Sequence, residues 1–269
     1  MRRALVTGAN KGIGLAIAKA ILEEHDDTFV YLGSRDAARG KAAADSLGHS
    51  GRVAALEIDV TNEASVRAAA KQVTGPLYGI VNNAGIGRGE LADVLQTNVY
   101  GIHYVCEAFL PLLDPKEGRI VNVTSASGPN YVSAAAPERK KLLLDRDMTW
   151  PRLDAFMKEC IAAKEGDAYG LSKACANVYT VALAREHPTL KINACTPGFI
   201  ATDLTQHYAE AQGKTPAEMG MKPPSAGAKA PMFLLFGALE GNGRYYGSDA
   251  QRSPLDRYRS PGDPPYTGD

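Results

Sequence analysis

Seven short apolar runs recur along the chain, separated by segments of helix length. They are "RALVT", "TFVYLGS", "VAALEIDV", "YGIVNNA", "GRIVNVTS", "LKINACT" and "GRYYG". Most are apolar almost without interruption, which suits parallel strands covered on both faces. Parallel neighbours need crossover connections. Helical patterns over Gly12–Glu24, Ala64–Val73, Leu91–Leu113, Ala168–Glu186 and Ala226–Gly237 supply them. The expected fold is α/β: a Rossmann-type, doubly wound parallel sheet of about seven strands in one domain, residues 1–251. A chain of 269 residues with 45% hydrophobic content can bury such a core without staples. No repeat or linker divides it. Residues 252–269, "RSPLDRYRSPGDPPYTGD", are rich in Pro, Gly and charge, and are expected to form a loose surface tail.

Composition excludes several function classes. Thirty basic and thirty acidic residues leave no net charge, hence no global pull toward nucleic acid or an acidic membrane. Cys106, Cys160, Cys175 and Cys195 are scattered singly without a CxxC pair, and the five histidines are equally dispersed. Neither a disulfide framework nor a metal site is expected. No apolar run approaches the roughly 18 residues of a membrane span. "MRRALVTG" enters a strand pattern at once, without a signal-peptide core, so a cytoplasmic location is expected.

"LVTGANKGIGLAIAKAIL" joins the first strand to the first helix. Gly8, Gly12 and Gly14 follow GxxxGxG spacing, with Asn10, Lys11 and Ile13 between them. Glycines there permit a tight turn and close backbone approach, and the helix N-terminus then faces a pyrophosphate. The second strand ends at Gly33-Ser34, followed by Arg35 and Asp36. A carboxylate at the strand tip would bind an NAD ribose, whereas Arg35 suits a 2′-phosphate, with Lys11 as a second cation. NADPH is therefore the expected cofactor. Asp59-Val60 ends the third strand, where the carboxylate could accept from an adenine amino group or simply cap a turn.

Tyr169 and Lys173 stand four positions apart, on one helix face. A tyrosine near its ordinary pKa of about 10 becomes a useful acid or base when a lysine ammonium stabilises its anion. Taken alone, the pair is also an ordinary surface pairing. Ser125, just past the fifth strand, changes this. Gly8, Asp59, Asn83 and Ser125 all sit at carboxyl ends of strands, where open α/β sheets collect ligands.

The ordered motifs "TGANKGIG", "NNAG", "VNVTS", "YGLSK" and "TPGFIATD", from Thr7 to Asp203, resemble the short-chain dehydrogenase/reductase family. "TGANKGIGLAIA", "NACTPG" and the long stretch before the tyrosine resemble its carbonyl reductase branch. The resemblance implies reduction of aldehyde, ketone or quinone carbonyls. Tyr169 would donate the proton and Ser125 would hold the carbonyl oxygen. Lys173 would hold the nicotinamide ribose and lower the tyrosine pKa, while Asn98 would position a relay water. Asn83, Ala84 and Gly85 would lie near the cofactor ribose, and Pro197, Gly198 and Thr202 would cradle the nicotinamide. Ala126 and Phe199 are candidates for the substrate pocket. Two other readings stay open: a catalytically quiet NADP-binding sensor or scaffold, and an alcohol dehydrogenase working toward oxidation.

Ser125 and Tyr169 lie 44 positions apart, well beyond the spacing of many family members. Residues 129–167 therefore form an expected helical insert. Leu153, Phe156, Met157, Cys160 and Ile161 trace one helix face, with Pro151 in the first turn and Thr149 as cap. The resemblance implies that this insert covers the face through which relatives dimerise, and hence a monomer; a substrate lid or partner arm is the competing use. Trp150 is the expected anchor. The segment from Gly85 to Asn98 is short for the branch, which implies a cleft more open on one side or an insert that covers it.

Overall fold

The computed structural model describes residues 1–268. Eight strands form one sheet: β1 (Arg2–Val6), β2 (Thr28–Ser34), β3 (Val53–Glu57), β4 (Gly79–Asn82), β5 (Arg119–Val123), β6 (Lys191–Cys195), β7 (Tyr245–Tyr246) and β8 (Arg252–Ser253). Their order is β3-β2-β1-β4-β5-β6-β7-β8, all parallel except for β8 against β7. The chain winds outward from β1 in one direction, then crosses to β4 and winds in the other. The crevice at this reversal is where a doubly wound sheet binds its ligand.

The first half carries helices α1 (Gly12–Glu24), α2 (Ala37–Ser46), α3 (Glu63–Ala70), α4 (Leu91–Leu95), α5 (Gly101–Phe109) and α6 (Ser127–Ala134). The second carries α7 (Pro137–Leu143), α8 (Trp150–Ala162), α9 (Ala168–Glu186), α10 (Gln206–Ala211), α11 (Pro224–Gly227) and α12 (Lys229–Phe236). Alternate strand residues feed two cores. Leu5, Ile80 and Ile120 face α3, α5, α8 and α9, whereas Val6, Val81 and Val121 face α1, α2 and α12. This alternation follows from the two-residue strand period. Helix α9 is buried almost all round, from Gly170 to Ala184, because the sheet, α6 and α8 enclose it.

Four features depart from the sequence reading. The expected Leu91–Leu113 helix is α4, a π-helical turn over Gln96–Tyr100, α5 and a 3-10 turn over Leu110–Leu112. Helix α2 was not foreseen: "AARGKAAADS" has no apolar stripe, and the helix is set by Asp36, whose carboxylate caps it by accepting from Arg39 N. Thr149 holds the N-cap position of α8 but makes no side-chain cap bond. The C-terminal segment is tied down rather than loose. Its first residues form β8, Tyr266 N donates to Arg252 O, and the Arg259–Asp249 ion pair is largely buried. Composition could not show this, because it does not record which polar groups pair with one another.

Within the insert, Leu153, Phe156, Met157 and Cys160 of α8 are buried against the main body, and Ile161 is partly so. Each fully buried Leu or Met contributes about 2 kcal/mol. Trp150 stacks on His103 of α5 at 3.7 Å and meets Tyr100 and Tyr179 edge-on. The Tyr100 hydroxyl donates to Asp154 of α8 at 2.6 Å. The insert is thus fastened across α5 and α9.

Candidate active site

Two cavities meet at the sheet's reversal point. The larger, about 690 Å³, runs along the ends of β1, β2 and β3. The smaller, about 360 Å³, lies over the end of β5 and the start of α9. Ile13, Asn83, Gly85, Gly87, Thr202 and Leu204 border both, so the cavities form one continuous cleft.

The larger cavity has the form of a dinucleotide site. Gly8 adopts φ +62°, and a Cβ there would lie 2.8 Å from Ala84 Cα. A Cβ on Gly14 would lie 2.5 Å from both Gly8 O and Asn83 Nδ2. Only glycine fits either position, which keeps the loop against β4 and the N-terminus of α1 open to the cleft. Asn10, Lys11, Gly12 and Ile13 line one side; Asp59, Val60 and Ala84 line the middle; Arg35 and Arg39 close the far end. Arg39 escaped the sequence reading. Its position one helical turn after Arg35 was the available signal. Asp36 caps α2 through one carboxylate oxygen, and its other oxygen pairs with Arg39 Nε at 3.0 Å. Asp59 accepts from Thr61 N and Thr61 Oγ1, so one of its oxygens shapes a turn. Lys11 does not reach toward Arg35; its ammonium pairs with Asp203 across the cleft.

Asn83 serves mainly to join the cleft's walls. Its Nδ2 donates to Thr7 O and Gly8 O at 3.0 and 3.2 Å, while Asn83 N and Ala84 N donate to Thr7 Oγ1. Asn98 is fully buried and lines neither cavity. Its side chain accepts from Ile86 N, donates to Ile86 O, and donates to Ser172 Oγ, all at 2.9–3.0 Å. The π-helical turn places it there, next to Gly85 and the Lys173 ammonium.

Ser125, Tyr169 and Lys173 converge on the smaller cavity. Ser125 Oγ accepts from Ser127 N at 3.1 Å, which orients it past the end of β5. Asp167 caps α9 by accepting from Gly170 N at 2.8 Å, which fixes the first turn carrying Tyr169. The deeper register of α9 is set by a buried chain. Asn82 donates to Asn122, Asn122 donates to Thr180, and Thr180 donates to Ala176 O. Burial raises the Tyr169 pKa, with the Ser125 hydroxyl pulling it the other way. Burial lowers the Lys173 ammonium to about 8. Lys173 Nζ makes one long contact, 3.4 Å to Val123 O, and lies 5.5 Å from the centre of the Tyr169 ring. Tyr169 is therefore raised here, against the expectation that Lys173 lowers it. Desolvation outweighs the Ser125 hydrogen bond, the one influence that lowers it. Near neutral pH the tyrosine is a loaded proton donor beside a cation.

Pro197, Gly198, Phe199 and Thr202 border this cavity as expected, whereas Ala126 does not; Ser127 takes its place. Leu204, Tyr208 and Met219 complete an apolar rim that the sequence reading missed. Phe199 and Tyr208 are among the few exposed large apolar side chains and meet edge to face at 6.3 Å. No periodicity marks residues 199–221, so nothing in the sequence placed Tyr208 or Met219 at the cavity.

A short chain dehydrogenase family model matches residues 2–137. Carbonyl reductase (NADPH) 1 of Pongo abelii is 33% identical over 260 residues, covering 84% of this chain and 93% of the relative. The chain belongs to the short-chain dehydrogenase family. Within it the chain falls in the carbonyl reductase branch, as its motifs implied. A (+)-neomenthol dehydrogenase of Arabidopsis thaliana is also 33% identical, covering 76% of this dehydrogenase and 84% of the relative. Among solved structures, salutaridine reductase of Papaver somniferum superposes with TM-score 0.78 at 27% identity, covering 91% of this chain and 99% of that one. Among the described residues of this short-chain dehydrogenase, no group of acidic, Cys or His side chains is arranged to hold a metal, and no helix is long and apolar enough to cross a membrane.

Proposed function

We propose that this short-chain dehydrogenase reduces aldehyde and ketone carbonyls, quinones included, with NADPH, Tyr169 acting as the proton donor. The observation that carries this reading is the convergence of Ser125, Tyr169 and Lys173 on an apolar cavity continuous with the cleft. Arg35 and Arg39, both lining the larger cavity, support a cofactor bearing a 2′-phosphate. When bound, NADPH supplies the hydride that reduces the carbonyl carbon.

The protein's part is orientation and proton control. The Ser125 hydroxyl donates a hydrogen bond to the carbonyl oxygen and holds it toward Tyr169. The Tyr169 hydroxyl gives its proton to that oxygen as negative charge develops there. The Lys173 ammonium, held in a dry site, then lowers the cost of the tyrosinate left behind. Asn98 keeps the Ile86 backbone in place at the junction of the cavities. Among the described residues Lys173 is the only charged side chain bordering the smaller cavity, and with no carboxylate there the lining disfavours substrates with a cationic group near the carbonyl. The Phe199–Tyr208 pair favours cyclic or aromatic ones. Because α8 covers the outer faces of α5 and α9, the protein works as a monomer.

The test is loss of NADPH absorbance with menthone, an aromatic aldehyde and a naphthoquinone. Tyr169→Phe is expected to lower turnover about a thousandfold while NADPH still binds. Turnover retained in the variant refutes the proton-donor assignment.

A further inference from the structure

The C-terminal segment contains a fully used guanidinium. The Arg259 side chain is only 6% exposed, and all three of its guanidinium nitrogens have acceptors. Nη2 donates to both carboxylate oxygens of Asp249, and Nε donates to Ser253 Oγ at 3.0 Å. Nη1 donates to Ser260 O and to Asp263 O, at 3.2 and 2.6 Å. Asp249 also accepts from Gln251 N and Gly262 N. This one side chain thus locks the β7–β8 turn to the tail. Gly247 makes room for it, since a Cβ there would lie 2.9 Å from Nη2.

The locked turn reaches the smaller cavity. Ser248, beside Asp249, packs on Gly198: a Cβ on Gly198 would lie 3.1 Å from Ser248 Cβ and 3.3 Å from its Oγ. Gly198 has φ +92°, and its N–H donates to Thr196 Oγ1, while Thr196 N donates to Tyr246 O. The Pro197–Gly198 wall therefore leans on the turn that Arg259 holds. A desolvated Arg–carboxylate pair whose remaining donors are also bonded is far stiffer than an exposed one.

We propose that Arg259 and Asp249 are positioning residues for the active site: through Ser248 they fix the Pro197–Gly198 wall against which the carbonyl substrate is oriented. This rests on the reading of the smaller cavity as the carbonyl site. The tail is thereby part of the catalytic frame, although it touches neither cavity.

The test compares Arg259→Ala, Arg259→Lys and Ser248→Leu with the unaltered protein. Ser248→Leu leaves the ion pair intact and pushes on Gly198 directly. The readouts are KM and kcat for whichever panel carbonyl is reduced fastest, NADPH affinity by fluorescence titration, and amide hydrogen exchange of a peptide spanning residues 196–201. All three variants are expected to raise KM about tenfold, with a smaller loss of NADPH affinity because the larger cavity is untouched. The Arg259 variants should also speed exchange in that peptide. Ethylguanidinium should restore Arg259→Ala, whereas Arg259→Lys should stay impaired because an ammonium cannot fill a five-donor fork. Unchanged KM and unchanged exchange in the Arg259 variants overturn the proposal. If the unaltered protein reduces no carbonyl, the carbonyl-reductase reading fails. The exchange measurement then still decides whether Arg259 holds the wall: faster exchange reversed by ethylguanidinium supports it, and no change overturns it. Should Arg259→Ala fail to fold, Ser248→Leu and Arg259→Lys decide by the same measurements.

Discussion

Lys173 should make this protein less stable near neutral pH than it would be without the charge. Its ammonium is buried, has no carboxylate partner, and makes one long contact to Val123 O. Burial lowers its pKa from 10.5 to about 8. That difference of about 2.5 units, at 1.36 kcal/mol each, corresponds to roughly 3 kcal/mol. The sign follows from proton binding. Below pH 8 the lysine is charged in both folded and unfolded chains, and the full desolvation cost falls on the folded one. Between pH 8 and 10.5 the folded protein has released a proton that the unfolded chain still holds, so stability rises with pH. Above that window neither form is charged and the cost is gone. Lys173→Met removes the charge while keeping much of the side chain's volume. Urea unfolding at pH 7 should find the variant more stable by about 3 kcal/mol, with the gap closing toward pH 10. Subtracting the two proteins cancels the cysteines and tyrosines that titrate in the same range. A difference that stays constant from pH 7 to 10 refutes the reasoning. A destabilising group retained at such a point is understandable if its charge serves chemistry.

Three other outcomes follow from the geometry. Gly14→Ala forces a Cβ to within 2.5 Å of Gly8 O; fluorescence titration should show NADPH affinity falling at least about tenfold. Replacing both Arg35 and Arg39 with Ser should weaken NADPH by about tenfold or more and leave NADH nearly unchanged, so an unaltered NADPH/NADH ratio counts against the 2′-phosphate assignment. Trp150→Ala opens the stack on His103 and should cost about 2 kcal/mol in urea denaturation, below the range for a fully buried Trp because this one is only partly buried.

Much of this architecture is local chemistry, and the sequence determined it. Near-continuous apolar runs can be satisfied only between two helical layers, so the doubly wound sheet was legible from pattern alone. The glycine loop was legible because Gly8 and Gly14 occupy positions where any side chain collides. Tyr169 and Lys173 were legible as a pair because helical spacing puts them on one face, and Ser125 because strand ends gather ligands. Tertiary structure decided what depends on distant partners. Asn98 is the anchor of the Ile86 backbone only because a π-helical turn rotates it inward. Tyr169 is raised because the fold buries it, and the Ser125 hydroxyl offsets only part of that. Lys11 turns to Asp203, a residue far along the chain. The rim of Leu204, Tyr208 and Met219 comes from a segment without regular periodicity. The tail read as loose because Pro, Gly and charge usually mean solvent. Here a buried guanidinium, together with the β8 pairing and the Tyr266–Arg252 backbone bond, holds it in place. Composition records how many charges a segment carries; only the fold decides which of them find partners away from water.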